Sequence, residues 1–404
     1  MIDDKRMHLP ALMPAPARPA SHGRKSLPEL PLRADRGVQP QTGACVKLVR
    51  TVEVRRASLT ATPRAALAVA LLAACSTAAA QGLRLPDLDE PWRPACCSLA
   101  QAADDTRAPA AAATDVVSDA DRRFRTRALV GGYAAGVALY GYFSWWGKDV
   151  QRHVVNDDGT VTVETLPNRT SKFRFSDEGW FGTDSVAGGA DKLGHAFAFY
   201  TSTRLLTTAL SDWAGQPRGD AIGLAAATSA AVSLAIEVFD GYTLEYGFSW
   251  QDMAMNLLGV GAGVLLETYP RADQLIDLRF QYWPSDDAKK YGETNPFNDY
   301  SGQTYLLVFK ASGVPELQRN RWLRYLELQF GYGSRGYSPH PGPYAPEQPV
   351  KERNLYFGVG LNLTELLRGT VFKEPSTARR VTEGFLEYLQ VPGTNLLYEY
   401  NLDD

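Results

Sequence analysis

The chain has 404 residues, 45% of them apolar and 22% charged, which excludes a wholly disordered protein and sets an expectation of two or three domains. The formal net charge is −3, so nothing in the overall charge points to nucleic acid as a partner. Four cysteines are too few for a disulfide-dense scaffold. High tyrosine (19) and glycine (35) leave β-rich or membrane-facing structure open.

The average charge hides a division. Residues 1–74 carry 12 basic and 5 acidic side chains, a balance of +7, whereas residues 75–404 stand at −10. Arg55, Arg56 and Arg64 precede an uninterrupted apolar run from Ala65 to Ala74. That run is too short to span a bilayer but suits the core of a secretory signal. It ends Leu72-Ala73-Ala74-Cys75, small residues before a cysteine in the manner of a bacterial lipobox, so Cys75 is the expected lipidation site. A plain secretory cut after Ala78-Ala79-Ala80 is the second reading. Residues 1–45 are rich in Pro and Arg and precede a signal that belongs at an N-terminus. They are read as a disordered leader or a mis-assigned start, the true one lying near Val46 or Val52. The signal then covers 46–80 and a flexible Ala-, Pro- and Asp-rich tether 81–120. In an oxidising compartment the neighbours Cys96 and Cys97 are not expected to bridge each other.

Order is expected from Asp121, with a helical bundle domain over 121–270. Ala128 to Trp146 carries no charge and fits either a marginal span or a buried helix. Short alternating runs (Val161 to Leu166, Lys172 to Phe175) suggest a hairpin. Three apolar segments of helical length follow: Asp191 to Leu210, Asp220 to Asp240, and Ser249 to Glu267. Ser249 reads as an N-cap, with Asp252 as the acidic partner of a capping box. Arg204 and the cluster Thr201, Ser202, Thr203 would be awkward facing lipid.

After Pro270 the apolar period becomes two. Ile276, Leu278, Phe280 and Tyr282 alternate with polar residues, and so do Leu326, Leu328, Phe330 and Tyr332. Leu355, Phe357, Val359, Leu361 and Leu363 repeat the pattern, and Tyr305 to Phe309 and Leu396 to Tyr400 are further strands. Such strands resemble those of outer-membrane barrels, but four to six are too few to close one. The expectation is an antiparallel sheet over 271–404 packed by one face on the helices. The fold class is therefore α+β: a small apolar bundle of three to four helices, then a mainly antiparallel sheet.

If consecutive helices alternate in direction, the start of the first apolar segment, the end of the second and the start of the third share one end of the bundle. Asp191, Lys192, His195, Glu237, Asp240, Asp252 and Asn256 then converge. The pairs Asp191/His195, Glu237/Asp240 and Asp252/Asn256 each lie on one helix face. Three chemistries fit. One is a hydrogen-bonded cluster that pins the helices, with Lys192 neutralising a carboxylate. A second is a divalent metal site, Zn or Mn, drawn from His195, Glu237, Asp240 and Asp252. The third is an acid–base site, with His195 as base and Asp191 or Glu237 orienting it.

The strings Asp191-Lys192-Leu193-Gly194-His195, Glu237-Val238-Phe239-Asp240-Gly241-Tyr242 and Gly247 to Gly259 resemble a family of predicted periplasmic lipoproteins, domain of unknown function 2279. The likeness extends from Trp145 into the strands, including Asp299 to Tyr305. A weaker outline, Asp191, Lys192, His195, Glu237, Asp252, Asn256 and Gly259, is similar to VanZ-like membrane proteins. The resemblance implies a lipoprotein of the cell envelope and no particular reaction. The expected function is a non-catalytic binding or structural component. It is attached to the membrane by lipid or apolar helices, faces the periplasm, favours the outer membrane, and has an envelope protein or lipid as partner. The alternative is a metal-dependent or His/carboxylate hydrolase acting on an envelope lipid or cell-wall precursor.

Overall fold

The computed structural model describes residues 117–337 and 349–404, apart from 157, 159, 292 and 293. The leader, the signal with Cys75, and most of the tether with Cys96 and Cys97 lie outside the described residues. Helix α1 (Asp119–Gly141) starts two residues earlier than expected, because Ser118 caps it by accepting from the Asp121 backbone N–H at 3.1 Å. It continues through a wider turn at Tyr142–Trp146. Strands β1 (Asp149–Val155) and β2 (Val161–Pro167) form the hairpin. The run at Lys172 does not extend it: only Phe175–Ser176, β3, is extended, and it pairs in parallel with β4 (Phe248–Ser249).

Three long helices follow: α2 (Ala190–Asp212), α3 (Arg218–Asp240) and α4 (Trp250–Thr268). Their core joins Phe199, Val232 and Val260 to Ala134 of α1, with Leu206, Leu210, Ala221 and Ala225 stacked further along. Helix α3 is long and apolar enough to cross a membrane, and 44% of its apolar stretch is buried in the fold. Arg204 turns inward. Its guanidinium donates to Glu267 at 2.8 Å, to Asp273 at 2.5 Å and to the Tyr200 hydroxyl at 2.7 Å, which resolves the charge that would be awkward against lipid.

A short helix, α5 (Pro270–Leu275), leads into a five-stranded antiparallel meander. Its strands are β5 (Ile276–Tyr282), β6 (Gln303–Lys310), β7 (Leu326–Arg335), β8 (Glu352–Leu361) and β9 (Asn395–Asn401). Two short helices, α6 (Asp286–Tyr291) and α7 (Pro315–Gln318), lie in the connections before and after β6. Two amphipathic helices, α8 (Leu363–Thr370) and α9 (Thr377–Tyr388), interrupt a region whose sequence suggested only strands.

The two faces of this sheet are opposite in character. One face is apolar. Its β5–β6 end packs on α2, with Phe197 against Phe280 and Tyr305 at 5.8 and 6.1 Å between ring centres. Across β7–β9 the same face is uncovered. The cross-strand row Leu328, Val359, Leu396 and the row Phe330, Phe357, Tyr398 are exposed, Leu396 to 78% and Leu328 to 57%. The other face is buried and carries the sheet's charged and amide side chains beside apolar Leu306 and Val308. Arg279 bridges Asp277 and Glu327 and contacts Gln390. Asn395 on β9 donates to Gln281 on β5 at 3.0 Å and to Gln329 on β7 at 2.8 Å. Since β5 and β9 are the sheet's two edges, these bonds show the sheet curling around its polar side. Gln390 fills the gap by donating its backbone N–H to the Phe280 carbonyl. A flat two-layer sheet would leave the polar face in water; here the curl lets those polar groups satisfy one another.

Candidate functional site

The site is built at one end of the helices from segments that are far apart in sequence. A left-handed run precedes α2, with Ala187, Gly188 and Gly189 at φ 47°, 60° and 90°. A Cβ at Gly189 would strike Phe181 and the Trp180 carbonyl, so glycine is required there. This sharp entry delivers Asp191 and Lys192 to the interior in the first turn of α2.

Lys192 is fully buried. Its ammonium meets Asp191 Oδ2 at 3.0 Å, Asp252 Oδ1 at 2.5 Å and Glu178 Oε2 at 2.5 Å. One cation thereby joins α2, α4 and the loop before α2. Burial opposes its charge, but these carboxylates win and raise its pKa. Asp191 also accepts from the Tyr300 hydroxyl at 2.9 Å.

His195, one turn on from Asp191, holds Asn256 through Nδ1 at 2.9 Å. Its Nε2 lies 3.8 Å from both Asp191 Oδ1 and Asp252 Oδ2. Asn256 in turn donates to Glu237 Oε1 at 3.4 Å. Ser249 caps α4 by accepting from the Asp252 N–H at 3.2 Å. The return bond of a capping box comes from elsewhere: Glu237 Oε2, not Asp252, accepts from the Ser249 N–H at 3.2 Å. Asp252 is drawn away by Lys192. Asp240 accepts from the Trp146 indole at 2.6 Å.

Charge is crowded here. Burial pushes Glu237 up to about 8 and Asp240 up to about 7, although His195 pulls both the other way. Burial and the neighbouring Asp252 raise Glu178. For His195 burial favours the neutral ring, yet Asp191, Asp252 and Glu237 lift it to about 9. Asp252 stays lowered despite burial, because His195 and Lys192 face it.

The seven residues singled out in the sequence thus occupy one end of the bundle, in two layers. Asp191, Lys192, His195 and Asp252 make direct contacts, and Asn256 links His195 to Glu237. Asp240 stands apart on Trp146. The spacing did not reveal Glu178, Tyr300 or Trp146, which reach the centre from loops or from the end of α1. Tyr300 does lie in the Asp299 to Tyr305 string already noted. Asp191, His195 and Asp252 form a group whose ligand atoms lie within 4.8 Å of one another.

An α+β chain with a charged centre closing one end of an apolar bundle is the class of protein defined by this fold and site. Residues 177–268 match the family model described as predicted periplasmic lipoprotein, domain of unknown function 2279. The match covers all seven residues and Glu178. No curated protein and no solved structure matches the chain.

Proposed function

We propose that the chain is a non-catalytic, membrane-associated component of the cell envelope, tethered by lipid on Cys75 and seated on the bilayer by the uncovered side of its sheet. The observation that carries this reading is the sheet's inverted polarity. Its charged and amide side chains are inside, and Leu328, Phe330, Phe357, Val359, Leu396 and Tyr398 are outside. An apolar patch of this extent is unusual on a soluble monomer. The band from the Leu326 row to the Tyr332 row is about 20 Å tall at roughly 3.3 Å per residue. The Arg353–Asp403 ion pair marks one margin, and exposed Trp322 marks the other, an arrangement suited to insertion into one leaflet. The outer membrane is the proposed location, because its resident β-proteins share the apolar exterior and polar interior.

Flotation of the Cys75→Ser protein with phosphatidylethanolamine/phosphatidylglycerol vesicles tests the seat apart from the tether. The unlipidated protein should float, and L328D/F330D should stay at the bottom while keeping its circular dichroism. Failure of the unlipidated protein to float would refute the proposal, and so would a stable dimer that buries the same face. Separating inner and outer membranes by density tests the location.

A hydrolase acting on an envelope lipid or wall precursor is the second reading. One observation favours it: the His195 side chain retains 27% exposure in an otherwise buried centre. Its orienting partner is then Asn256 rather than Asp191 or Glu237. Loss of a phosphatase or esterase activity in H195A, with the fold intact, would establish it.

A further inference from the structure

We propose that Asp191, His195 and Asp252 bind one divalent transition-metal ion, of the zinc or manganese class, with Asn256 and Glu237 as the groups that hold the histidine in its ligating form. Glu237 anchors the arrangement. Its carboxylate accepts from the Ser249 N–H, and its other oxygen faces Asn256 Nδ2. Asn256 thus presents Nδ2 to Glu237 and Oδ1 to His195. An amide oxygen only accepts, hence His195 Nδ1 carries a proton and donates. In the neutral ring the lone pair then sits on Nε2, directed between Asp191 Oδ1 and Asp252 Oδ2 at 3.8 Å from each.

A lone pair facing two carboxylate oxygens is repulsive, so Nε2 of the metal-free ring holds a proton there and the ion takes its place when bound. The separations suit an ion: metal–nitrogen and metal–oxygen bonds of about 2.0–2.2 Å span gaps of this size. Lys192 does not fill the position. It binds the opposite oxygens, Asp191 Oδ2 and Asp252 Oδ1, and so each carboxylate is shared between the ammonium on one oxygen and the proposed ion on the other. Tyr300 donates to Asp191 Oδ1, the oxygen that faces the ion, and orients it.

The donor set selects the ion class. One imidazole with two carboxylates suits zinc or manganese better than calcium or magnesium, which favour all-oxygen shells. The assignment also separates the carboxylates by role. Asp191 and Asp252 are ligands. Glu237 acts through Asn256, as outer-shell partners of metal-bound histidines do. Asp240 is occupied by Trp146.

The test uses the full chain, stripped with a chelator and titrated with Zn²⁺, Mn²⁺ and Co²⁺. One ion per chain is expected, with a rise in melting temperature and visible Co²⁺ bands of a nitrogen-containing site. H195A should bind no ion stoichiometrically, and N256L should bind 10- to 100-fold more weakly with the fold retained. If H195A does not fold, the His195 imidazole resonances of the wild-type chain provide the readout, since bound Mn²⁺ should broaden them first. Absence of stoichiometric binding by the wild type overturns the proposal; the cation between the carboxylates is then a proton on Nε2. Equal binding by H195A, or His195 resonances untouched by Mn²⁺, overturns it too.

Discussion

Gly259 on α4 lies against the backbone carbonyl of Ala196 on α2, so closely that a Cβ on Gly259 would overlap the carbonyl oxygen. The two helices cross at this point, next to His195 and less than one turn from Asn256. The contact sets the 2.9 Å reach between those two side chains. Gly259→Val should therefore force the helices apart, costing about 1–3 kcal/mol as overpacking does. It should also free the His195 ring. Thermal melting and the His195 proton spectrum check this, and an unchanged melting temperature would refute it.

Lys192→Met should be among the most damaging single changes. It keeps the length of the side chain but leaves Asp191, Asp252 and Glu178 without their shared cation. Breaking a buried ion pair from one side costs about 3–5 kcal/mol. Chemical denaturation is the measurement. A loss below 1 kcal/mol, about the value of a surface pair, would mean the cluster is more hydrated than its burial indicates.

The metal-free protein should be more stable in mild acid than at neutrality. Glu237 faces His195, Asp252 and Asp240, and Asp240 faces His195, Asp252 and Asp191. Burial raises both, from 4.5 to about 8 for Glu237 and from 3.8 to about 7 for Asp240. The folded state thus holds protons that the unfolded chain releases. Their contribution is complete below the unfolded values and is lost as pH rises through about 7 and about 8. The melting temperature should fall between pH 5 and pH 8, and Glu237→Gln should flatten that slope. A slope of opposite sign would show that the two carboxylates are ionised in the fold.

Within the curled sheet, Arg279→Leu should cost about 3–5 kcal/mol, because it strands Glu327 and leaves Asp277 with Lys310 alone. Replacing Arg279, Asp277 and Glu327 together by apolar residues should recover much of that loss. A triple variant no better than the single one would show that Gln390 and Gln329 depend on the charges as well.

Much of this centre is readable in the sequence, since helical spacing places Asp191 with His195 and Asp252 with Asn256, and Ser249 announces the start of α4. What spacing lacks is the third dimension. Glu178 and Tyr300 sit in irregular segments, where no period fixes a direction, and their partners are 14 and 109 residues away. The strands show the converse limit. Alternation establishes that Leu328 and Gln329 face opposite ways, but not which way is in. Ordinary expectation puts leucine inside; the curl, closed through Asn395, puts glutamine there. Helices α8 and α9 are short, with no apolar run long enough to stand out from the strands around them.

The Asn395–Gln281 and Gln390–Arg279 bonds also govern the order in which this molecule assembles. They join residues 114 and 111 apart, whereas α2–α4 nucleate from neighbours in the chain. Long closures are entropically slow. Until residues 390–395 arrive, Arg279, Glu327 and Gln329 belong to an open, half-wet sheet whose leucines are already exposed. The expected consequence is a late, unlatched state that can pair with another copy. The final strand acts as a latch, and refolding yield should fall steeply with protein concentration until it closes.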